Sequence, residues 1–157
     1  SNLIKIPIIV TEQYPKAFGR TVPDLNLNRA VYALKPVEKR KFSMITDEVA
    51  KQFDHETSLK GRRCAVLYGI EAHVCVQQTA LDLLERKWDV HVLADGVSSQ
   101  RATDRAIALE RMRQAGAFIT TSESACFMIA GDADQPYFKE MSSLFNNSVN
   151  PRPQNQL

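Results

Sequence analysis

The sequence predicts an α/β protein, with a mostly parallel, doubly wound sheet between two layers of helices. Two observations predict this three-layer α/β/α fold. Short apolar runs alternate with amphipathic segments along the chain, which is the order of repeated strand–helix units. The run Cys64–Gly69 is apolar without polar alternation, as expected for a strand that is buried on both faces of a parallel sheet.

Length and composition limit the class of protein. The 157 residues are enough for one domain. A hydrophobic fraction of 44% and a charged fraction of 24% exclude disordered and fibrous classes, and a net charge of +2 is too balanced for a nucleic-acid-binding field. The longest nearly apolar run, at residues 4–10, is interrupted by Lys5 and Pro7 and therefore excludes a membrane span. We expect a domain at residues 1–145, followed by a flexible polar tail at 146–157.

The N-terminal third predicts two strands, and a helix follows them. Lys5–Val10 is rich in β-branched residues and predicts a buried strand, with a loop at Thr11–Pro15. Val31–Leu34 predicts a short second strand. Met44–Phe53 predicts a helix with a weak apolar pattern.

The rest of the chain predicts three strands and four helices. The first of these helices follows Gly69 and has one apolar face, and the second is amphipathic and ends at Gly116. A turn is expected at Asp95–Gly96, directly after the middle strand. The strands are expected at Cys64–Gly69, Asp89–Ala94 and Ala117–Thr120. The apolar helix faces are expected at Val76, Ala80, Leu83 and Leu84, and at Ala102, Ala106, Leu109 and Met112; the last two helices are expected at Ser122–Ala130 and Pro136–Phe145.

Cys75 is the best candidate nucleophile among three cysteines. The odd number and the absence of a C-x-x-C pattern favour reduced thiols in an intracellular protein. Cys75 falls in the first turn of a helix at the carboxyl end of a strand, where free N–H groups and the helix dipole stabilise a thiolate. The structural alternative is a small buried thiol that packs as an apolar residue.

A reactive thiolate needs a base or a cation nearby. Basic residues follow the second predicted strand, at Lys35, Lys39, Arg40 and Lys41. One lysine could turn inward to polarise the thiolate, and the alternative is a solvated basic loop. His73 is two residues from Cys75 and does not share its helical face, which favours a solvated or substrate-contacting histidine over a Cys–His dyad.

Four segments carry a resemblance to a known family. Gly69–Ala80 resembles the cysteine motif of the isochorismatase-like hydrolase superfamily, G-x-x-x-x-x-C-V-x-x-T-A. Lys39–Met44 resembles its lysine motif. Thr11–Pro15 and Ala94–Ser99 resemble the isochorismatase domain-containing subgroup, which includes trypanosomatid members labelled as ribonucleases. The resemblance extends over residues 4 to 145.

The resemblance implies a three-layer fold with a six-stranded parallel sheet and a Cys–Asp–Lys triad. Such a triad attacks amides or related C–N bonds of small molecules through a thioester. By position, Cys75 would be the nucleophile and Lys39 the triad lysine. A cis peptide between Ile70 and Glu71 would turn the N–H of Glu71, together with that of Cys75, towards the oxyanion.

The resemblance also implies a substrate pocket and an assembly. Gln13, Phe42 and Ser43 would line the pocket for a small-molecule substrate, and the protein would be a homo-oligomer without a cofactor. The related nicotinamidases carry a D-x-H metal motif after their second strand. The corresponding region here, Thr11–Pro15, has no histidine, and we therefore predict no metal.

The expected triad aspartate ends the family's first strand, which would precede residue 5. The domain in this sequence is therefore expected to be incomplete at its N-terminus, without that strand. Asp24, Asp47 and Asp95 follow other elements and are not assigned to this role.

Three classes of function follow from these residues. The first is a small-molecule cysteine hydrolase, intracellular and either cytoplasmic or mitochondrial. The second is a binding or scaffold protein that keeps the pocket without the chemistry. The third is an RNA-processing factor, against which the near-neutral charge and the lack of RNA-binding motifs argue.

Overall fold

The computed structural model describes residues 2–55 and 59–146, which form parallel sheets flanked by helices. This arrangement confirms the predicted α/β class. The strands are β1 Thr11–Gln13, β2 Val37–Lys39, β3 Cys64–Ile70, β4 Asp89–Ser98 and β5 Phe118–Thr120. The helices are α1 Pro15–Phe18, α2 Asp47–His55, α3 Gln77–Glu85, α4 Ala102–Gln114, α5 Ser122–Ala130 and α6 Phe138–Ser143. A wide π-helical turn, Ala72–Val76, connects β3 to α3.

The described strands form two separate parallel sheets. In the first, β1 pairs with β2, and Gln13 lies opposite Lys39. In the second, β4 lies between β3 and β5, and His91 of β4 lies opposite both Val66 and Phe118. Parallel neighbours bring the carboxyl ends of their strands to one edge, where the turn at Ala72–Val76 begins.

The main core lies between the three-stranded sheet and helices α3 and α4. Val90 and Val92 of β4 are fully buried, as is Met112 of α4. The apolar face predicted for α3 is confirmed at Val76, Ala80 and Leu83. The face predicted for α4 is wrong in its first half, since Ala102 and Ala106 are exposed; the buried residues of α4 are Ala108, Leu109 and Met112.

The prediction that β3 is buried on both faces is wrong. Its inward residue Leu67 is buried, whereas Tyr68 and Ile70 are 55% and 76% exposed. Strand residues alternate between faces, and this outward face is apolar too, so the sequence shows no polar alternation even though only one face is covered.

The first two strands begin later than predicted. Within Lys5–Val10 and Val31–Leu34 the structure has a single bridge, between Ile8 and Ala33, and regular pairing starts where the Val37 N–H donates to the Val10 carbonyl. Pro7 and Pro36 lack the N–H that a continuous ladder would need. The predicted loop at Thr11–Pro15 therefore contains β1.

The predicted turn at Asp95–Gly96 is also wrong, because β4 continues through it to Ser98. The β3–β4 ladder shifts register between Leu67 and Gly69, and the extra residues of β4 form a bulge there. A Cβ atom on Gly96 would lie 3.0 Å from Cβ of Leu93. Glycine stands here because a side chain would collide with Leu93, and not because the backbone makes a turn.

The other predicted elements are present with small differences at their ends. Helix α2 begins three residues after the predicted start at Met44, α5 matches its predicted bounds, and α6 lies within Pro136–Phe145. Of the predicted tail at 146–157, only Asn146 is among the described residues. Within the described part of the chain, none of the helices combines the length and the apolar character that a bilayer crossing requires. The boundary at residue 145 stays a prediction.

Candidate active site

The structure brings together the two residues expected to carry the chemistry. Nζ of Lys39, at the end of β2, lies 3.7 Å from Sγ of Cys75 in the turn Ala72–Val76. Lys39 is only 6% exposed and Cys75 is half-buried. The basic loop is therefore not uniformly solvated, since this lysine points inward towards the thiol.

The Lys39 ammonium is held by three oxygen atoms. They are Oε1 of Gln13 at 2.6 Å, the carbonyl of Phe42 at 2.7 Å and the carbonyl of Lys41 at 3.0 Å. An ammonium has three N–H donors, and with Sγ of Cys75 at 3.7 Å it has four acceptors around it, so at least one N–H is shared. Burial lowers the pKa of Lys39, and the neighbouring sulfur of Cys75 opposes that shift. The geometry allows Lys39 to act on the thiol through its charge.

The turn that carries Cys75 starts at Glu71. This residue adopts left-handed backbone angles, φ 58° and ψ 68°, and its carbonyl accepts from the N–H groups of Val74 and Val76. The Ile70–Glu71 peptide is trans, so the expected cis bond is wrong. The chain reverses instead through the positive φ of Glu71, which non-glycine residues adopt rarely.

Thr79 connects the cysteine turn to the lysine loop, a role that the sequence analysis missed. Its hydroxyl donates to the Cys75 carbonyl at 2.6 Å and accepts from the Met44 N–H at 2.8 Å. Thr79 is four residues after Cys75, on the same side of the helix, and is almost fully buried. That spacing, with a polar residue on an otherwise apolar helix face, was the available signal.

The residues predicted to line the pocket lie around Lys39. Gln13 accepts from the ammonium and donates through Nε2 to the Arg40 carbonyl. Phe42 is half-exposed, whereas Ser43 is buried with its hydroxyl accepting from the Ile45 N–H. Gln13 and Ser43 thus have structural partners, and substrate contact for all three residues stays a prediction.

A shallow depression of about 280 Å³ borders the site. In it the Arg40 guanidinium lies over the Tyr14 ring, 4.2 Å from its centre. The depression is lined by Tyr14, Pro15, Lys16, Glu38, Lys39 and Arg40, and not by Cys75. Of the Lys39–Cys75 pair, it is therefore Lys39 that borders the depression.

The His73 imidazole faces away from the thiol contact. Its Nδ1 lies 3.0 Å from the Ser99 hydroxyl and 3.4 Å from Oε2 of Glu71, and its Nε2 lies 4.0 Å from Oδ2 of Asp104. A hydroxyl and two carboxylates are thus its neighbours, in agreement with the preference against a Cys–His dyad.

The other two thiols differ from Cys75 in their surroundings. Cys64 is exposed at the start of β3, and Cys126 is half-buried in α5. Partial burial raises the pKa of both thiols, and Asp89 adds to the increase at Cys64. Among the described residues, neither has a lysine contact of the kind that Cys75 makes.

The unassigned aspartates are occupied or lie at other elements. Asp95 accepts from both the N–H and the hydroxyl of Ser122 and so caps α5. Asp47 begins α2, and Asp24 lies in a short 3₁₀ turn. Within residues 2–55 and 59–146, no group of three or more His, Cys, Asp or Glu side chains could hold a metal ion.

A second buried charge lies on the opposite face of the β1–β2 ladder. The Glu12 carboxylate accepts from the N–H and hydroxyl of Thr21, at 2.8 and 2.9 Å, and from Arg20 at 3.0 Å. The backbone N–H of Thr21 is the main cause of a lowered Glu12 pKa, and the Arg20 charge adds to it. Arg20 also pairs with Glu38. Sequence reasoning missed this cluster because Glu12 was expected in an open loop.

Comparison with known proteins finds one family and close relatives. Residues 4–124 match the isochorismatase domain. The chain is 44% identical over 154 residues to isochorismatase domain-containing protein 2 of Xenopus laevis, covering 98% of this chain and 70% of that protein.

Solved structures share the fold. The MAR1 ribonuclease of Caenorhabditis elegans superposes with a TM-score of 0.81 at 42% identity, covering 99% of this chain and 79% of that one. The YcaC protein of Escherichia coli, an octameric hydrolase of unknown specificity, superposes with a TM-score of 0.70 at 21% identity, covering 96% and 79%. The second likeness is one of fold alone.

Proposed function

This chain belongs to the isochorismatase domain family, and from that premise we propose that it is a cysteine hydrolase of small molecules. The bond it cleaves is an amide or a related C–N bond. The observation that carries the proposal is the 3.7 Å contact between Nζ of Lys39 and Sγ of Cys75. A thiol with a buried ammonium beside it is the arrangement that favours a thiolate near neutral pH.

Lys39 acts in this proposal as a fixed charge. Its hydrogen bonds to Gln13, Phe42 and Lys41 hold the cation in place before substrate arrives. Because the site is partly buried, its attraction for a thiolate is stronger than the same pair would show in water. Lys39 therefore stabilises the ionised nucleophile and is not the substrate's hydrogen-bond donor.

The reaction proceeds in two steps. The Cys75 thiolate attacks the carbonyl carbon, and the backbone N–H of Cys75 stabilises the oxyanion of the tetrahedral intermediate; the trans Ile70–Glu71 peptide removes the reason for assigning the Glu71 N–H to this role. The C–N bond then breaks, the nitrogen leaves with the proton that came from the thiol, and a thioester remains on Cys75. Water attacks the thioester, which releases a carboxylic acid and restores the thiol.

The base of the expected triad is not assigned to a residue of this chain. Asp95 is engaged by Ser122, and its carboxylate holds the start of α5. We assign no role in the reaction to Asp24 or Asp47 either. Proton removal from Cys75 is thus left to the aspartate that the family resemblance implies.

Substrate would enter beside Lys39. The depression that contains Tyr14 and Arg40 is also lined by Lys39, and Gln13 and Phe42 bond to the Lys39 ammonium. We also infer a homo-oligomer, with support from the octameric assembly named for the Escherichia coli protein. An intracellular location, cytoplasmic or mitochondrial, is part of the proposal and is supported by the three free thiols.

Selective alkylation tests the nucleophile. Iodoacetamide at neutral pH should modify Cys75 about tenfold faster than Cys64 or Cys126 in the same molecule, since the Lys39 ammonium lies beside Cys75 and burial raises the pKa of the other two thiols. Peptide mass spectrometry over time measures the three rates together. Equal rates at the three thiols would contradict the proposal, and Cys75→Ser shows which peptide carries the fast reaction.

A second candidate function is RNA cleavage, because the similar Caenorhabditis elegans structure is named a ribonuclease. Hydrolysis of short RNAs by wild type and Cys75→Ser would separate the two. RNA cleavage that survives the serine substitution, and falls steeply with salt, would favour an RNA-processing protein. Binding of small amides without turnover would favour the scaffold alternative.

A further inference from the structure

The turn that carries Cys75 is held from two sides. On one side, Thr79 accepts the Met44 N–H and donates to the Cys75 carbonyl, and Lys39 contacts the sulfur. On the other side, the His73 imidazole reaches the end of β4 and the first turn of α4. His73 and Cys75 are two residues apart, so their side chains leave the turn in different directions.

The surroundings of His73 form a small charged cluster. Glu71 approaches it from the corner before the turn, Ser99 from the end of β4, and Asp104 from α4. Arg101, directly before α4, lies 3.9 Å from the same Asp104 oxygen and shares that carboxylate. The His73 side chain is two-thirds buried among these groups.

The charge of the imidazole changes how many of these groups it can hold. A neutral ring donates from one nitrogen and an imidazolium donates from both. The acceptors are arranged for both nitrogens, with Ser99 and Glu71 at Nδ1 and Asp104 at Nε2. In the charged ring both nitrogens are donors, so Nδ1 can bond to Ser99 or Glu71 while the positive charge attracts the Asp104 carboxylate, 4.0 Å from Nε2.

We propose that His73 is a positioning residue for Cys75, which fixes the cysteine turn against β4 and α4 and does so most firmly when its ring is protonated. The proposal rests on the proposed function, because the turn positions both the nucleophile and the Cys75 N–H expected to receive the oxyanion. His73 touches neither the sulfur nor substrate and acts through the backbone of the turn.

The test measures alkylation of Cys75 and Cys64 in the same molecule, from about pH 5.5 to about pH 9, a range in which histidine changes its charge. In wild type, the Cys75-to-Cys64 rate ratio should show an inflection within this range, in addition to the one that the ionisation of the two thiols produces. In His73→Leu the ratio should fall several-fold and the inflection should be lost. In His73→Gln, which can still bond to Ser99, most of the ratio at high pH should remain, without the inflection.

His91→Leu is the matched control, because the ring of His91 stacks on Phe118, 4.8 Å between centres, on a different surface. It should leave the ratio and the inflection unchanged. A His73→Leu protein with the wild-type ratio at every pH would overturn the proposal. If His73→Leu does not fold, the wild-type and His73→Gln profiles decide in the same way.

The two proposals fail in different ways. Rapid Cys75 alkylation that is insensitive to His73 would overturn only the positioning role. Slow Cys75 alkylation in wild type would overturn the proposed function, and amide hydrogen exchange at Val74 and Val76 then tests on its own whether His73 fixes the cysteine turn. Faster exchange at these amides in His73→Leu would support the positioning role of His73, and unchanged exchange would overturn it.

Discussion

The two faces of the short β1–β2 ladder each bury one charged side chain, and they treat it differently. Lys39 is 6% exposed on one face, and Glu12 is 7% exposed on the other. Successive residues of a strand point to opposite faces. Glu12, which pairs with Glu38, therefore lies on one face, and Lys39, which pairs with Gln13, lies on the other. The two charged residues thus lie on the same pair of strands and differ in the groups that contact them.

The partners decide what each charge can do. Glu12 has a cation and two hydrogen bonds from Thr21, so its charged form is stabilised and its pKa is lowered. Lys39 has three neutral oxygens and a thiol, and burial lowers its pKa, which means that its charged form is disfavoured. The ammonium therefore gains from an anion at Cys75, whereas Glu12 has its counter-charge already. The Glu12 face is a closed structural cluster, whereas the Lys39 face has a cation that the proposed chemistry at Cys75 would use.

The largest effect is expected from Lys39→Met. Removing the cation should slow alkylation of Cys75 at neutral pH by about 10- to 100-fold, because the thiolate loses the positive charge that lies beside it. Cys64 in the same protein is the internal reference. Lys41→Met is the matched control, because Lys41 pairs with Asp82 and its loss should leave Cys75 nearly unchanged. An unchanged alkylation rate of Cys75 in Lys39→Met would mean that a group other than Lys39 activates the thiol.

Glu12→Gln should act on stability and leave the thiol alone. We expect a loss of about 1–3 kcal/mol at neutral pH, the usual cost of weakening a hydrogen-bonded charge that is buried. Because the folded pKa of Glu12 is lowered, its contribution is present above the unfolded pKa near 4.5 and is lost as pH falls through the folded value. Urea unfolding at several pH values measures this, and wild type and variant should converge in acid. A change in Cys75 alkylation would show that the two faces are coupled.

The smallest effect is expected from Glu38→Gln. Glu38 pairs with Arg20 at 2.8 Å, but both side chains are more than half exposed, and solvent screens such pairs. Thermal unfolding should give a midpoint equal to that of wild type within error. A clear decrease would mean that Arg20 needs Glu38 to stay in place over Glu12.

The sequence was sufficient where one element carried its own signal. The uninterrupted run at β3, the Thr121-capped helix α5 and the glycine after α4 follow from local preferences, and the meeting of Lys39 with Cys75 follows from the family motifs. It was insufficient where distant groups decide. The position of β2 depends on which N–H groups the prolines leave free, and the partners of His73 come from β4 and α4.

The same limit explains the errors at Gly96 and in β3. A glycine after an acidic residue has the pattern of a turn, and only the approach of Leu93 and Tyr68 shows why this one lies in a strand. In β3 the residues of the covered face and those of the uncovered face are both apolar, so the sequence pattern could not distinguish the two faces.

The uncovered face of β3 has a consequence for the behaviour of the protein in solution. The strand has no charged residue, and among the described strands it pairs only with β4. Uncharged apolar strands at the edge of a sheet tend to adhere to one another, and within the described residues no second strand and no charged side chain of β3 opposes this. The particle size of this chain should therefore grow with protein concentration, and dilute samples are the ones in which each molecule behaves independently.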